Sequence, residues 1–80
     1  MNEVERIRKY LEDNELFFND VFEGNFGLIN IDIHWGDWKH EHLYCDDLME
    51  ELGYDLVYEE VTEENGSDSY SAIRTYNKKL

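Results

Sequence analysis

The sequence predicts an α+β domain in the order αββαββ, with two helices on one face of a four-stranded, antiparallel-rich sheet. Three observations predict it. Apolar residues recur at helical spacing in two segments. They alternate at strand spacing in four others. Those four fall into two pairs, each divided by a glycine–asparagine turn signal. Eighty residues hold one such domain, so residues 1–80 read as a single acidic α+β unit.

The first helix is expected over Glu3 to Asp13. Asn2 and Glu5 have the spacing of a capping box, with Asn in place of Ser or Thr. Val4, Ile7 and Leu11 mark its buried stripe, and Asn14 is the expected left-handed residue at its end. Two strands follow, LFFNDVFE and FGLINIDIHW, joined by a two-residue turn at Gly24-Asn25. That turn pairs Glu23 with Phe26, Phe18 with Ile31 and Leu16 with Ile33. One face then carries Leu16, Phe18, Phe22, Ile29, Ile31, Ile33 and Trp35. The other carries Phe17, Asn19, Val21, Glu23, Leu28, Asn30, Asp32 and His34. Asp20 is the exception, because it falls on the apolar face.

The second helix is expected from Trp38 to Leu52, capped by Asp37 and stopped by Gly53. Trp38, Cys45, Leu48, Met49 and Leu52 form its inward stripe, with His42 beside it. Lys39, Leu43, Asp46, Asp47 and Glu50 point the other way, with His40 and Glu51 at the margins. The last two strands, YDLVYEEVTE and SYSAIRTYN, flank Asn65-Gly66. Leu56, Tyr58 and Ile73 should share one face of that hairpin, and Val57, Val61, Tyr70, Ala72 and Tyr76 the other.

This element order is a circular permutation of the split βαβ, ferredoxin-like arrangement, for which the strand order is 3-4-2-1. The second strand is the most apolar, the fourth has the small Ser69, Ser71 and Ala72, and the third carries the charges of a protected edge. A plain four-strand meander is the alternative.

Twenty acids against seven bases give a net charge of −13. A chain this short buries only ~60–65% of its unfolded surface, yet 15% aromatic residues and clear periodicity argue for a packed core. One cysteine makes no internal disulfide. The N-terminal MNEVERIRKY lacks the apolar stretch of a signal peptide, and no apolar run approaches the roughly 20 residues of a membrane span. A cytoplasmic protein is expected.

The segment HWGDWKHEHLYCDD, residues 34–47, concentrates the ligand-type residues. His42, Cys45 and Asp46 fall at i, i+3, i+4, with His34 or His40 as a further donor for a metal. Against this stand the absence of CxxC and HExxH and the opposed directions of His40 and His42 on a helix. A Cys45–His42 nucleophile pair lacks an evident orienting group. No glycine-rich phosphate loop exists. The preferred reading is a strand-to-helix corner packed around Trp35 and Trp38, with no metal, no cofactor and no enzyme activity.

The acids resist a purely structural reading. No Lys or Arg occurs between His40 and Ile73, while acids occupy 41, 46, 47, 50, 51, 55, 59, 60, 63, 64 and 68. Asp46/Glu50 and Asp47/Glu51 are like-charge i, i+4 pairs, and Glu50 and Glu51 sit where the helix dipole prefers cations. Asp46 to Glu51 spans roughly 7.5 Å of helix rise, which approaches the linear charge density of duplex DNA, one per ~1.7 Å. Exposed Leu43 can supply an apolar anchor. Leu43, Asp46, Asp47, Glu50, Glu51, Glu59, Glu60, Glu63 and Glu64 are therefore the candidate partner-binding residues.

With the acids of CDDLMEELGYD and YEEVTEENGSD, the chain resembles the small acidic inhibitors made by phages and mobile elements. The uracil-DNA-glycosylase inhibitor, several anti-CRISPR proteins and barstar-like immunity proteins belong to that group. The resemblance rests on size, charge and compact αβ pattern. It implies a non-enzymatic inhibitor of a basic nucleic-acid-handling protein, of the phage anti-defence, anti-CRISPR or anti-restriction type, acting by DNA mimicry. The acidic field itself repels nucleic acid and anionic membrane surfaces, so direct binding to either is not expected. An immunity or antitoxin protein for a nuclease toxin is the second reading, and a small metal-binding or catalytic domain the third.

Overall fold

Asn2 opens helix α1, Glu3–Asp13, by accepting the Glu5 N–H on its side-chain oxygen at 2.8 Å, as its spacing requires. The computed structural model describes residues 2–36, 40–65 and 69–80. Ile7 and Leu11 are buried, and Val4 packs against them. The left-handed residue comes one position later than expected. Asn14 has φ −96°, and Glu15 has φ 60°. The reason is that the Asn14 side chain bonds back to the Tyr10 carbonyl at 2.8 Å, as does its own N–H at 3.1 Å, which holds it in the last turn. Glu15 and Leu16 then donate to the Glu12 and Leu11 carbonyls, the pairing of a Schellman end, with Leu16 packed on Leu11.

The first hairpin corrects the predicted register. Strand β1 is only Asp20–Glu23, and β2 is Ile29–Gly36, with Glu23 opposite Ile29 and Val21 opposite Ile31. The connection is Gly24 to Leu28, closed by Gly24 N–H to the Leu28 carbonyl (2.8 Å) and Leu28 N–H to the Asn25 carbonyl (3.2 Å). Phe26 and Gly27 both adopt positive φ, so the chain reverses over them rather than over Gly24-Asn25. At Gly24 an added Cβ would meet the terminal amide of the Asn30 side chain at 2.5 Å, which would have to swing aside.

The register moves by three residues, an odd number, and so exchanges the faces of β1. Val21 points inward and Phe22 outward. Asp20 now stands opposite Asp32 on the outer face, so its anomaly disappears. Leu16 is buried and Phe18 half-buried, but both precede the strand. The predicted β2 face of Ile29, Ile31, Ile33 and Trp35 is buried as expected.

Helix α2 is Glu41–Glu51, three residues shorter at its start than expected. The proposed Asp37 cap and the burial of Trp38 lie outside the described residues. Cys45, Leu48 and Met49 are buried, Leu52 is partly so, and Gly53 ends the helix at φ +90°. Strands β3, Tyr54–Asn65, and β4, Ser69–Lys78, complete the chain. Asn65 pairs with Ser69; the expected turn at Asn65-Gly66 falls largely outside the described residues.

The sheet order is β1-β2-β4-β3 with every neighbouring pair antiparallel, which is the predicted 3-4-2-1 order and not a meander. Irregularities between Leu56 and Tyr58 and between Val61 and Glu63 shift the register of β3. Leu56 therefore pairs with Tyr76 on the helix-covered side while Tyr58 pairs with Thr75 on the open side, so the expected grouping of Leu56 with Tyr58 and Ile73 does not form. Val61, Tyr70, Ala72 and Tyr76 do share a face. Helix α1 packs near β1, and α2 packs over β2 and β3.

Candidate protein-binding surface

Period-two alternation places residues 70, 72, 74 and 76 of β4 under α2. Three of them are apolar or aromatic. The fourth is Arg74, only 4% exposed. A buried guanidinium requires partners, and two acids turn inward to supply them. Asp46 accepts from Arg74 Nε at 3.0 Å and Nη2 at 2.5 Å, and Glu59, directly opposite Arg74 on β3, pairs with Nη1. The Tyr76 hydroxyl donates to Asp46 Oδ1 at 2.5 Å and lies 3.3 Å from Cys45 Sγ. Burial works against the Arg74 charge, but its hydrogen bonds with Asp46 and Tyr76 outweigh that and raise its pKa.

This overturns the expected direction of Asp46, which does not join the outward row of α2. On the helical wheel it flanks Cys45 and Met49, and the buried cation decides which way it turns. Sequence reasoning missed Arg74 as a site residue, although its place between Ala72 and Tyr76 was the available signal.

The remaining candidates divide between two faces. Leu43 is 52% exposed on α2, with Asp47, Glu50 and Glu51 exposed along the same helix. Glu51 accepts the Tyr10 hydroxyl at 2.5 Å, and Glu50 lies 3.6 Å from Lys79 Nζ. On β3, Glu64 stands opposite Tyr70 on the helix side. Glu60 and Glu63 stand opposite Ile73 and Ser71 on the open side. That open side gathers acids that sequence reasoning did not connect: Asp20, Asp32, Ile73 and Glu60 form one row across all four strands. Among the described residues, Asp47, Glu60 and Glu64 have no basic partner within salt-bridge distance. Phe26, 97% exposed at the tip of the β1–β2 loop, is a further exposed aromatic that the expected turn concealed.

The metal-type residues go to separate tasks. His42 stacks on Trp35 with ring centroids 4.3 Å apart, and Trp35 stacks in turn on Tyr70 at 5.5 Å. His42 Nδ1 is buried and has no hydrogen-bond partner among the described residues. Burial and the Arg74 charge lower the His42 pKa, against the pull of Asp46. Burial pushes the Cys45 thiol up to about 12, although the Tyr76 hydrogen bond opposes this, so the sulfur is protonated at neutral pH and weakly nucleophilic. His34 bonds to Ser71 at 2.8 Å on the open face. Among the described residues no three His, Cys, Asp or Glu side chains converge as a metal site. Among the described residues no helix is long and apolar enough to cross a membrane.

No protein family matches the chain, and neither a curated protein nor a solved structure does.

Proposed function

We propose that this protein is a non-enzymatic acidic inhibitor of the phage anti-defence kind, which occupies the nucleic-acid groove of a basic nucleic-acid-handling protein. One observation carries the reading. In an acidic run without Lys or Arg from His40 to Ile73, the nearby cation Arg74 is buried and used by Asp46 and Glu59. Of the carboxylates that stay outside, Glu50 and Asp55 share the exposed Lys79, while Asp47, Glu60 and Glu64 have no basic partner among the described residues and are left to act on a partner beside exposed apolar Leu43, Val57, Tyr58 and Val61. Such a surface attracts cationic grooves over distance and repels phosphate. The groove-filling row on α2 is Asp47, Glu50 and Glu51, with Asp46 reserved for the interior.

The test is competition with DNA or RNA on a partner captured from host lysate at low salt. Binding should exclude nucleic acid and weaken steeply as salt rises. Lys at 47, 50 and 51 should abolish it with the fold intact, because these side chains stand clear of the core. Leu43→Ala should speed dissociation and leave association unchanged, as expected of a packed anchor. A stable ternary complex of partner, protein and nucleic acid, with the three-Lys variant still bound, would overturn the proposal.

A further inference from the structure

The sheet ends in two edges that the fold treats differently. At one, β1 is four residues long, and Arg8 reaches across it to Asp20 and to the Val21 carbonyl, both at 3.0 Å. At the other, β3 runs for 12 residues, and among the described residues no strand pairs with its outer side. A long free edge is a row of unpaired amides and carbonyls, ready to accept another strand. Natural edges of that length are usually defended. Here the two register shifts and the acids supply some defence, yet Val57 and Tyr58 are 54% and 62% exposed, with Leu56 and Val61 exposed beside them. Charge that served only to deter contact would not need four bare apolar side chains in the same stretch.

We propose that the free edge of β3 is a docking strand, which takes up an extended Lys/Arg-rich segment of a protein partner as a fifth strand. The inference rests on the functional reading above and specifies how the partner is held. Charge chooses the occupant. Glu60 projects on the open face and Glu64 on the helix-covered face, neither with a basic partner among the described residues, and Asp55 shares Lys79 with Glu50 at the start of the strand. A strand with alternating cations therefore meets carboxylates whichever of its faces carries the charge. The apolar side chains between them give the alternate positions something to pack on, the usual division of labour in strand addition. A second copy of this chain is the wrong occupant. Symmetric antiparallel pairing centred between Val61 and Thr62 sets Glu60 opposite Glu63, and Glu59 opposite Glu64, across the two copies, and like charges directly opposite destabilise a ladder. Nucleic acid is wrong for the same reason, since its phosphates meet the same acids.

The experiment uses a ten-residue peptide of alternating Lys and Val and a second peptide N-methylated at every amide of its central four residues, which keeps the charge and removes the ladder. Each is titrated into the isotopically labelled protein. The first should bind and slow hydrogen exchange of β3 amides between Leu56 and Glu63 at least tenfold, and the second should bind at least tenfold more weakly. Glu60→Lys with Glu64→Lys should weaken the first peptide by a similar factor without lowering the thermal midpoint. Equal binding of the two peptides, protection confined to α2, no binding, or a peptide-free dimer joined through β3 would each overturn the inference. Equal binding on α2 with nucleic-acid competition retained would remove the docking strand alone and leave the proposed function standing. Loss of both peptide binding and competition would remove both.

Discussion

The two αββ halves of this protein repeat one order of elements and neutralise their charge in opposite ways. In the first half the cations lie near their partners in the chain. Arg6 pairs with Glu3, Lys9 with Asp13 at 3.3 Å, and Arg8 with Asp20. In the second half, helix α2 and strand β3 supply acids and no Lys or Arg, and their cations come from further along the chain: the buried Arg74 of β4 and the exposed Lys79, 3.6 Å from both Glu50 and Asp55. Local surface pairs are worth little individually. A buried guanidinium held by two carboxylates is different, because removing one partner strands the others. The comparison teaches that one architecture can serve as scaffold on one side and as charged surface on the other, provided a single interior cation ties the charged side down.

The largest test of that contrast is Arg74→Met. It leaves Asp46 and Glu59, whose side chains are 27% and 31% exposed, without their cation, and should cost about 3 kcal/mol in urea unfolding, the lower end of the range for a buried pair because both carboxylates keep some solvent. Changing Asp46 and Glu59 to Leu in the same background should recover most of the loss. A triple variant as unstable as the single one would show that Arg74 acts through something other than these two acids. Ile31→Ala, in the central strand both halves share, should cost about 2–5 kcal/mol. A loss below roughly half a kcal/mol would contradict its complete burial. In the first half, Asn2→Ala removes the cap of α1 and should cost about 1 kcal/mol, without changing partner binding through the second half.

Salt sharpens the comparison further. Self-repulsion of the acidic half falls as the Debye length shortens to ~8 Å at physiological ionic strength. The thermal midpoint should therefore rise between low salt and a few hundred millimolar, and a falling midpoint would give the ion pairs of α1 the upper hand.

The smallest effect concerns His42. Its folded pKa lies below the ordinary 6.5, because burial and Arg74 disfavour its charged form. The unfolded chain therefore takes up this proton first as pH falls. His42 contributes fully above its ordinary pKa, and that contribution is lost as pH drops toward the folded value. His42→Phe, which keeps the stack on Trp35, should flatten the stability profile as pH falls through and below 6.5. An unchanged slope would assign it to the carboxylates.

Much of this was legible in the chain because it followed from period alone. The stripe of Ile7 and Leu11, the inward row of Ile29, Ile31, Ile33 and Trp35, and the strand order all come from spacing. What failed needed contacts distant in sequence or details of the backbone. The β1 register depended on whether Gly24-Asn25 or Phe26-Gly27 makes the reversal, and a dipeptide signal does not rank the two. Asp46 was assigned outward because a carboxylate beside Cys45 has no local reason to turn in, and its reason is 28 residues away. The candidate surface was legible as a list of acids but not as a shape, because two irregularities in β3 decide which of them share a face.

Strand β4 follows the other three strands along the chain, yet it occupies an interior place in the sheet, between β2 and β3. Every pairing that joins the two halves of the sheet passes through it. A nascent chain that ends before Ser69 has the four-residue pairing of β1 with β2 and no sheet partner for β3. Over the same interval the acids of α2 and β3 lack the cation that later draws two of them inward. Closure of the sheet therefore waits on the ten residues of β4, which must enter between β2 and β3 before the two halves of the sheet are joined. Acidity has a second use during that wait, since mutual repulsion keeps the unpaired strands of neighbouring nascent chains apart until β4 arrives.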